Sequence, residues 1–418
     1  MIQKLIGESK MQRNVPEFRF EGFDNCWEKR RLKEISSHRG GTAIEKYFDQ
    51  DGTYKVISIG SYGLDNKYVD QNIRALSNAV TDSRVVYAGE LTMVLNDKTA
   101  NGSIIGRTLF IEEDKQFVVN QRTEIITPGK RFNALFAYFT LNNDFRERVK
   151  KIVQGGTQVY VNYSAVENLK LSIPSFDEQE QIGIFLRKLD HLITLQQREL
   201  DYLKETKKTM LSKLFPKKSE TIPGVRFDGF TNVWEQRKLG DLGKIVTGNT
   251  PSTTENINYE VGGLMWVTPS DISHNKIYST SKQLSEIGIS KSRTVPSGSI
   301  LVTCIASIGK NALTLSKVAF NQQINALTPT ENYDSYFLLT SSYYWSQFMI
   351  QTLAASGTMQ IVNKTEFGKI LTKVPSLKEQ QSIGSFFSTL DHLITLQQRK
   401  VDLLKSQKQT LLKSMFPR

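Results

Sequence analysis

The decapeptide Leu189-Asp190-His191-Leu192-Ile193-Thr194-Leu195-Gln196-Gln197-Arg198 recurs without change as Leu390 to Arg399. The two copies lie 201 residues apart, from 189 to 390. Ten identical residues do not recur by chance in a chain of 418 residues. An internal repeat has to be recognised before single motifs are interpreted, because it sets the number and order of the structural units.

The residues around each copy follow a heptad pattern, with seam positions at alternating steps of three and four. In the first copy the seam positions are Leu186, Leu189, Ile193, Gln196, Leu200, Leu203, Lys207, Met210 and Leu214. In the second copy they are Phe387, Leu390, Ile394, Gln397, Val401, Leu404, Lys408, Leu411 and Met415. The two seams match even at their polar members, a glutamine and a lysine, and polar seam residues can fix the register of a pair.

This pattern predicts two long helices, each running from about Asp177 or Lys378 to a closing Phe-Pro. At about 1.5 Å of rise per residue, each helix is roughly 55 Å long. Since a chain with two equal seams can cover both by packing them together, we predict an intramolecular antiparallel coiled coil. The alternative is two separate surface helices, each packed on its own domain.

Composition narrows the class of protein. A chain of 418 residues is long enough for two or three domains. The net charge of +12 and the pI of about 9.4 favour a polyanionic partner, most often nucleic acid, although a basic protein without such a partner is the alternative. Cys26 and Cys304 form no CxxC or metal-binding spacing, which fits a reducing, cytoplasmic setting. Residues 1–14 do not resemble a signal peptide, and no apolar run approaches the ~20 residues of a membrane span.

Each half of the chain is predicted to hold a strand-rich domain before its long helix. An extended opening segment, Val15–Phe23 or Ile222–Phe230, is expected to dock on each domain. The strands are predicted at 54–59, 84–87, 117–119, 264–267, 299–303 and 317–320, with helical patterns at 133–153 and 333–354. The fold class is therefore α+β, with two strand-rich domains, two long paired helices and a pseudo-two-fold internal repeat.

The predicted boundaries follow this order along the chain. They are an N-terminal extension at 1–14, a first domain at 15–175, a central helix at 176–216, a second domain at 217–376 and a C-terminal helix at 377–418.

Catalytic motifs are missing from the sequence. Ile308-Gly309-Lys310 lacks the upstream Gly and the following Ser or Thr of a P-loop, and no GxGxxG follows a predicted strand. The Asn-Pro-Pro-aromatic signature of adenine methyltransferases is absent. The four histidines are scattered, and His191 and His392 have no His or Cys four residues later. We therefore predict no catalytic residue and no metal site.

The domains instead carry polar, glycine-containing loops at matching places. Gln, Asn and Arg can read base edges, while Ser, Thr and Lys can hold phosphates. For any single loop the alternative is an ordinary turn, and for Asn120-Gln121 and Asn321-Gln322 we keep both base contact and a turn-stabilising role open. The candidate DNA-binding residues are His38, Arg39, Thr42, Ser61, Tyr62, Lys98, Thr99, Asn101, Gln121, Arg122, Thr157, Gln158, Asn249, Thr250, Ser252, Ser270, Asp271, Ser307, Lys310, Gln322, Gln323, Thr358 and Gln360.

The chain resembles the specificity subunit of type I restriction–modification systems. The two-fold repeat, the repeated decapeptide helices, the Pro-Ser-x-x-Glu-Gln motifs at 174–179 and 375–380, and the Thr-Gly-Asn-Thr-Pro-Ser loop at 247–252 carry the resemblance. The resemblance covers the chain from Val15 onward. The first domain departs from it, because Ser-His-Arg-Gly-Gly-Thr at 37–42 lacks the Pro-Ser ending.

The resemblance implies two target-recognition domains that each read one half of a bipartite double-stranded DNA site, with the helices setting the spacer between the halves. It also implies partners: modification subunits, two of them, that bring S-adenosylmethionine, and restriction subunits, again two, that bring ATP and Mg²⁺. The chain itself would have no catalytic activity. Candidate residues for docking the modification subunits are Gln197, Arg198, Gln398 and Arg399, and the alternative is a solvated helix face.

Two other classes of protein remain as alternatives. A tandem-repeat scaffold that binds proteins would show no steep salt dependence of DNA binding. A free-standing methyltransferase or nuclease would need catalytic motifs that the sequence lacks.

Overall fold

A computed structural model describes residues 2–4, 14–217, 219–305, 307–353 and 361–417. The chain divides into two compact units: unit 1 contains Met1–Gln197 and Lys400–Arg418, and unit 2 contains Arg198–Arg399. Each unit therefore holds one strand-rich domain and a part of both long helices. The domain boundaries predicted along the chain stay a prediction, because each compact unit contains part of both long helices.

The elements of the first half of the chain are mostly short strands followed by one long helix. The strands are β1 Ile2–Lys4, β2 Phe18–Phe20, β3 Glu28–Arg31, β4 Ser36–Gly40, β5 Tyr54–Ile57, β6 Arg74–Ala75, β7 Leu91–Val94, β8 Asn96–Asp97, β9 Thr108–Phe110, β10 Phe117–Val119, β11 Thr123–Pro128, β12 Val159–Tyr160 and β13 Lys170–Ile173. The helices are α1 Leu32–Ile35, α2 Ala79–Asp82, α3 Ala134–Leu141, α4 Asp144–Lys150, α5 Tyr163–Val166 and α6 Phe176–Leu214.

The second half repeats this plan. Its strands are β14 Glu235–Lys238, β15 Gly243–Thr247, β16 Tyr259–Val267, β17 Lys276–Ile277, β18 Lys282–Leu284, β19 Thr294–Val295, β20 Ile300–Thr303, β21 Asn311–Thr314, β22 Val318–Phe320, β23 Ile324–Pro329 and β24 Leu371–Val374. Its helices are α7 Leu239–Leu242, α8 Glu286–Ser290, α9 Ser335–Leu353, α10 Lys364–Lys369 and α11 Leu377–Ser414.

The sheets of the two units follow related orders. Unit 1 has a four-stranded antiparallel sheet, β4-β11-β7-β9, and a three-stranded sheet, β10-β5-β6, in which β10 and β5 are parallel. Unit 2 has a five-stranded sheet, β15-β23-β20-β21-β17, and a four-stranded sheet, β18-β16-β22-β19. In both units a short antiparallel pair, β3 with β13 or β14 with β24, joins the start of the domain to its end.

The predicted seams are present and antiparallel within each unit. In unit 1, Lys408 Nζ lies 2.6 Å from Asp190 Oδ1, and Lys405 Nζ donates to Gln197 Oε1 at 3.1 Å. In unit 2, Lys207 Nζ lies 2.5 Å from Asp391 Oδ1. All of the predicted seam positions are buried or half-buried. The two seam lysines therefore stabilise the pairing of the helices, because each one forms an ion pair with the aspartate of the decapeptide on the other helix.

The closing Phe of each long helix enters the core of a domain. In unit 1, Phe416 lies 6.0 Å from Trp27 and 5.6 Å from Phe136, measured between ring centroids. In unit 2, Phe215 lies 5.7 Å from Trp234 and 5.6 Å from Phe337. Aromatic rings bury large apolar areas, so these contacts fix the helix ends to the domains.

The opening segments dock through matching ion pairs to two buried glutamates. Arg19 donates from Nε and Nη2 to the two carboxylate oxygens of Glu178, both at 2.7 Å. Arg226 makes the same bidentate contact with Glu379, also at 2.7 Å. Both glutamates lie in the first turn of a long helix, where a carboxylate also favours the helix dipole. The expected docking of the opening segments is therefore explained by a residue pair that periodicity does not reveal.

The glutamines that follow these glutamates tie helix and domain together. Gln179 accepts a hydrogen bond from Asn133 N at 3.0 Å and donates to the carbonyl of Pro174 at 3.0 Å. Gln380 accepts from Asp334 N at 3.0 Å and donates to Pro375 O at 2.9 Å. In both units the Glu-Gln pair of the Pro-Ser-x-x-Glu-Gln motif therefore fixes the start of the long helix to the domain.

One prediction of local structure is wrong, and a second is confirmed with a break. Residues 84–87 form no strand: Val85 makes only an isolated bridge to Val118, and Val85 and Val86 are buried by core packing without a ladder. The helical pattern at 133–153 is broken between α3 and α4, because the amide of Asn142 bonds the backbone of Thr108 at 2.9 and 3.0 Å. Its counterpart α9 runs unbroken over Ser335–Leu353.

The predicted α+β fold class, with two strand-rich domains, paired long helices and an internal repeat, is confirmed. Across the described ranges, none of the helices is long and apolar enough to cross a membrane.

Candidate nucleic-acid interface

Predicted loops of the first domain converge around one residue, Leu95. Its N–H donates to Arg122 O at 2.9 Å, and its carbonyl accepts from Val161 N at 2.9 Å. Strand β8 directly after it pairs with β12, which places Asn96 opposite Tyr160. The loops at 98–101, 121–122 and 155–158 therefore lie at one edge of the domain.

The second domain repeats this convergence around Cys304. Its N–H donates to Gln323 O at 2.7 Å, and its carbonyl accepts from Val362 N at 2.9 Å. Gln323 and Val362 lie 201 residues after Arg122 and Val161 (122 to 323, 161 to 362), which is the spacing of the decapeptides. The two domains therefore present these loops from equivalent positions of the repeated fold.

The turns at Asn120 and Asn321 anchor both edges. Asn120 is 7% exposed, and its side-chain carbonyl accepts from Ile44 N at 3.3 Å and Gln121 N at 2.8 Å. Asn321 is 8% exposed, and its carbonyl accepts from Gln323 N at 3.0 Å. For the two asparagines of these pairs, the contacts favour turn stabilisation over base contact.

Gly41 and Gly248 are required where the loops that contain them pass close to the turns at Asn120 and Asn321. A Cβ at Gly41 would lie 2.0 Å from Asn120 O, and a Cβ at Gly248 would lie 2.3 Å from Asn321 O. No side chain fits at such distances, so the close approach of the two backbones explains the glycine in both loops.

The largest group of candidates is exposed. Thr157 and Gln158 lie in an exposed turn that begins at Gly155, with φ +99°. Among the rest, Gln121 donates to Glu45 Oε1 at 2.8 Å and Lys310 donates to Pro269 O at 3.2 Å. The exposed candidates are Lys98, Thr99, Asn101, Gln121, Arg122, Thr157, Gln158, Thr250, Ser252, Ser270, Ser307, Lys310 and Gln322.

Asp97 shapes one of these loops. Its carboxylate accepts from Thr99 N at 2.9 Å and from Ile104 N at 2.7 Å. Burial opposes ionisation, but these hydrogen bonds outweigh it and lower the pKa of Asp97 below its ordinary value. The loop that presents Lys98 and Asn101 is therefore held by a charged carboxylate at neutral pH.

Other candidates are enclosed in the first domain. Ser61 and Tyr62 are 0% and 3% exposed, and the Tyr62 hydroxyl donates to Thr92 Oγ1 at 2.9 Å. Their side chains lie in the interior of the domain and contribute to its packing. Thr42 is half-buried and forms an isolated bridge with Asn120.

His38 and Arg39 are held by carboxylates. His38 Nδ1 lies 2.6 Å from Glu124 Oε1, and its Nε2 lies 3.4 Å from Glu167 Oε2. Arg39 Nη2 lies 2.7 Å from Glu90 Oε2. Burial raises the pKa of Glu124, while its hydrogen bond to His38 acts in the opposite direction. Both side chains are therefore engaged by carboxylates of the domain, Arg39 in an ion pair and His38 in a short contact with Glu124.

Three candidates of the second domain also have intramolecular roles. Asn249 donates to Lys291 O at 2.7 Å, and Asp271 accepts from Thr268 N at 2.8 Å and Ser281 N at 2.9 Å. Gln323 is half-buried and accepts from Asn321 Nδ2 at 3.0 Å. The remaining candidates, Thr358 and Gln360, lie outside the described residues.

The partner-docking candidates lie on the long helices. Gln197 and Gln398 are half-buried and accept hydrogen bonds from Lys405 and Lys204, at 3.1 and 3.2 Å, while Arg198 and Arg399 are exposed. Exposed leucines lie beside them and were missed: they are Leu192, Leu195, Leu393 and Leu396, between 40% and 46% exposed. The sequence contains a signal for their exposure, because these leucines of the decapeptide fall outside the heptad seam and so do not face the other helix.

Residues that commonly bind metals are also present in both domains. Within the part of the chain that the structure describes, no group of three or more His, Cys, Asp and Glu residues is arranged to hold a metal ion.

Comparison with known proteins places this architecture in a family. The family model for the type I restriction modification DNA specificity domain matches twice, over residues 25–205 and 232–406. The chain therefore belongs to this family, and it carries two copies of the domain.

Curated relatives match nearly the whole chain. A putative type I restriction enzyme MjaX specificity subunit from Methanocaldococcus jannaschii is 22% identical and covers 92% of both chains. The type I restriction enzyme HindI specificity subunit from Haemophilus influenzae is 24% identical, over 88% of this chain and 95% of its own. The crystal structure of a type I restriction–modification S subunit from M. genitalium has a TM-score of 0.67 at 15% identity, covering 97% of this chain and 99% of that one. At this identity the structural likeness shows a shared fold.

Proposed function

We propose that this chain is the DNA-recognition subunit of a type I restriction–modification complex, in which each domain reads one half of a bipartite site. The observation that carries the proposal is the pair of equivalent loop edges around Leu95 and Cys304. The backbone hydrogen bonds that anchor the two edges match, whereas the loops differ in sequence, as Lys98-Thr99-Ala100-Asn101 and Ser307-Ile308-Gly309-Lys310 show. A common frame with two different surfaces suits the reading of two different half-sites.

The exposed residues at these edges have the chemistry that DNA recognition needs. Gln121 and Gln322 occupy equivalent positions (121 and 322 are 201 apart) and can read base edges, with adenine as the usual partner of a glutamine amide. Lys98 and Lys310 can contact phosphates, and the net charge of +12 supports salt-dependent affinity.

We further propose that the chain has no catalytic activity of its own. Modification subunits would supply S-adenosylmethionine-dependent methylation, and restriction subunits would supply ATP- and Mg²⁺-dependent cleavage. The sequence lacks the motifs for these reactions. Purified chain that methylates DNA without a partner subunit would overturn this part of the proposal.

The exposed face of the decapeptide supports docking of modification subunits. Leu192 and Leu195 lie beside Arg198, and the same residue types recur 201 positions later on α11. Exposed leucines on a helix favour a protein partner. Because the two faces carry identical residues, we propose that each docks one copy of the same subunit.

The experiment uses the matched glutamines, with methylation of the host genome as the readout. We expect Gln121→Ala to relax or weaken recognition of one half-site only, and Gln322→Ala to affect only the other half-site. Loss of a bidentate base contact lowers discrimination by roughly 10- to 100-fold. If both variants change the same half-site, or neither changes the methylated motif, the assignment of one domain to each half-site fails.

The salt dependence of DNA binding distinguishes this proposal from the alternative of a tandem-repeat scaffold without DNA specificity. A DNA reader should bind the methylated motif more tightly than a scrambled duplex, with log affinity falling linearly with log salt. A scaffold would show neither the preference nor the slope.

A further inference from the structure

A large apolar groove lies in unit 2 at the junction of the domain and the end of α6. It has a volume of about 720 Å³. Its walls include Phe215 of the closing Phe-Pro, Tyr344 and Phe348 of α9, and Leu371 of β24. The size and the aromatic lining fit a binding site for large apolar side chains.

The same place in unit 1 is almost closed. The cavity there has a volume of about 20 Å³ and is lined by Phe416, Asn143 and Leu171, which correspond to Phe215, Tyr344 and Thr372 at the spacing of 201. The two places are equivalent in detail: Asn143 donates to Leu412 O at 2.9 Å, and Tyr344 donates to Leu211 O at 2.6 Å.

Two features close the cavity in unit 1. The break between α3 and α4 changes the course of the chain, and Arg148 of α4 donates to Lys170 O of β13 at 2.6 Å. In unit 2 the unbroken α9 carries Met349 at the position of Arg148, and Met349 is 1% exposed. The arginine that spans the equivalent gap in unit 1 is therefore missing in unit 2.

The exposed apolar residues of the groove have polar counterparts in unit 1. Phe348 is 50% exposed and Leu371 is 54% exposed. Their counterparts in unit 1 are Glu147 and Lys170, both polar and exposed. Since the repeated frame accepts charged residues at these positions, the apolar side chains in unit 2 call for another explanation, and contiguous exposed apolar surface is typical of binding sites.

The charges at the groove favour an acidic occupant. Lys217, Lys369 and Lys373 line it. Lys369 pairs with Glu366 of the lining at 2.8 Å, and Lys217 lies 3.9 Å from Glu220 beside it, so three lysines face two glutamates and one positive charge is in excess. A second copy of this chain, with a net charge of +12, would be repelled. DNA phosphates would suit the lysines, but Phe348 and Leu371 offer nothing to a phosphate backbone.

We propose that this groove binds one acidic segment of a partner protein, with large apolar side chains in the groove and carboxylates toward its lysines. Because unit 1 lacks the groove, the partner binds in one copy per chain. This contact is distinct from the paired docking faces of the decapeptide, which occur in both helices.

The test is site-specific photo-crosslinking in the host, with the full chain in its native complex. p-Benzoylphenylalanine replaces Phe348, and the matched control carries it at Glu147. We expect a crosslink at position 348 and not at position 147. Mass spectrometry should place it in a segment that is net acidic and contains large apolar residues. A synthetic peptide of that segment should bind the purified chain at least about tenfold more tightly than it binds the Phe348→Glu, Leu371→Lys double variant.

Several results would overturn the proposal. They are equal crosslinking at the two positions, a crosslink to a second copy of this chain, a net basic crosslinked segment, or a peptide whose affinity the double variant leaves unchanged. The double variant is expected to fold, because both new residues occur at the equivalent places in unit 1. A loss of DNA affinity in the folded double variant would assign the groove to DNA and would also refute the proposal.

Discussion

Replacement of Asp391 by alanine should destabilise unit 2 more than the equivalent replacement of Asp190 destabilises unit 1. Asp391 binds Lys207 Nζ at 2.5 Å, Asn275 Nδ2 at 2.6 Å and the Tyr336 hydroxyl at 2.9 Å. Burial, together with the negative charge of Asp391, raises the pKa of Tyr336, so that this hydroxyl stays protonated and donates. Asp391 thus joins α11 both to α6 and to the domain.

The magnitude follows from the number of contacts to one carboxylate. A hydrogen bond to a charged group contributes about 1.5–3 kcal/mol, less where water can replace it. The side chains of Lys207 and Asp391 are 30% and 13% exposed, so the lysine regains some hydration after the mutation. We expect Asp391→Ala to cost about 3 kcal/mol. Asp190→Ala should cost about 1–2 kcal/mol, because the contact shown for its carboxylate is the ion pair with Lys408.

The assay is native-state hydrogen exchange with mass spectrometry, because two units need not unfold as one transition. Peptides that span Tyr336 and Asp391 report the opening free energy of unit 2, and peptides around Asp190 report unit 1. A double-mutant cycle with Lys207→Met isolates the ion pair from the domain contacts. Equal losses in the Asp391 and Asp190 variants, or unchanged protection of unit 2, would refute the reasoning.

Three further outcomes are expected. Gly248→Ala should lower the melting temperature by about 5 °C or more, because the added Cβ would lie 2.3 Å from Asn321 O, whereas Gly224→Ala, with no atom within 4 Å of the added Cβ, should change it little. Equal shifts in the two glycine variants would contradict this reading. Cys304, whose pKa burial raises to about 11, should resist alkylation at pH 8 in the folded protein while the exposed Cys26 reacts, and equal labelling would contradict the burial. Insertion of one heptad into both long helices should keep both half-sites and lengthen the DNA spacer by about three base pairs, since seven residues add about 10.5 Å. Altered half-sites with an unchanged spacer would count against it.

The long helices could be predicted from the sequence because their signal is periodic and occurs twice. Each seam keeps its three-four spacing over the whole helix, and the matched Lys207 and Lys408 showed that the polar positions were part of the pattern. The antiparallel pairing followed from the equality of the seams. Strands such as 117–119 and 318–320 were also found, since short β-branched runs between turn residues are a local signal.

What the sequence could not predict depends on contacts between distant residues. The ion pair of Arg19 with Glu178 joins residues 159 positions apart, and the amide of Asn142 that ends α3 bonds to Thr108. Likewise, the burial of Tyr62 is set by tertiary packing and not by the polar character of its loop. Local patterns carry no information about such partners, so loop residues of similar composition divided into exposed and enclosed groups only in three dimensions.

Comparison of the two halves distinguishes residues that stabilise the repeated fold from residues that are proposed to bind partner proteins. Positions that match between the halves mostly make frame contacts, as Glu178 and Glu379 do with their arginines. The exposed leucines of the decapeptide match without making such contacts, which favours one partner bound twice. Phe348 and Leu371 are the opposite case, because they are apolar and exposed in one half and charged in the other. Such a difference favours a partner bound once, so the proposed complex should contain both a duplicated contact and a single one.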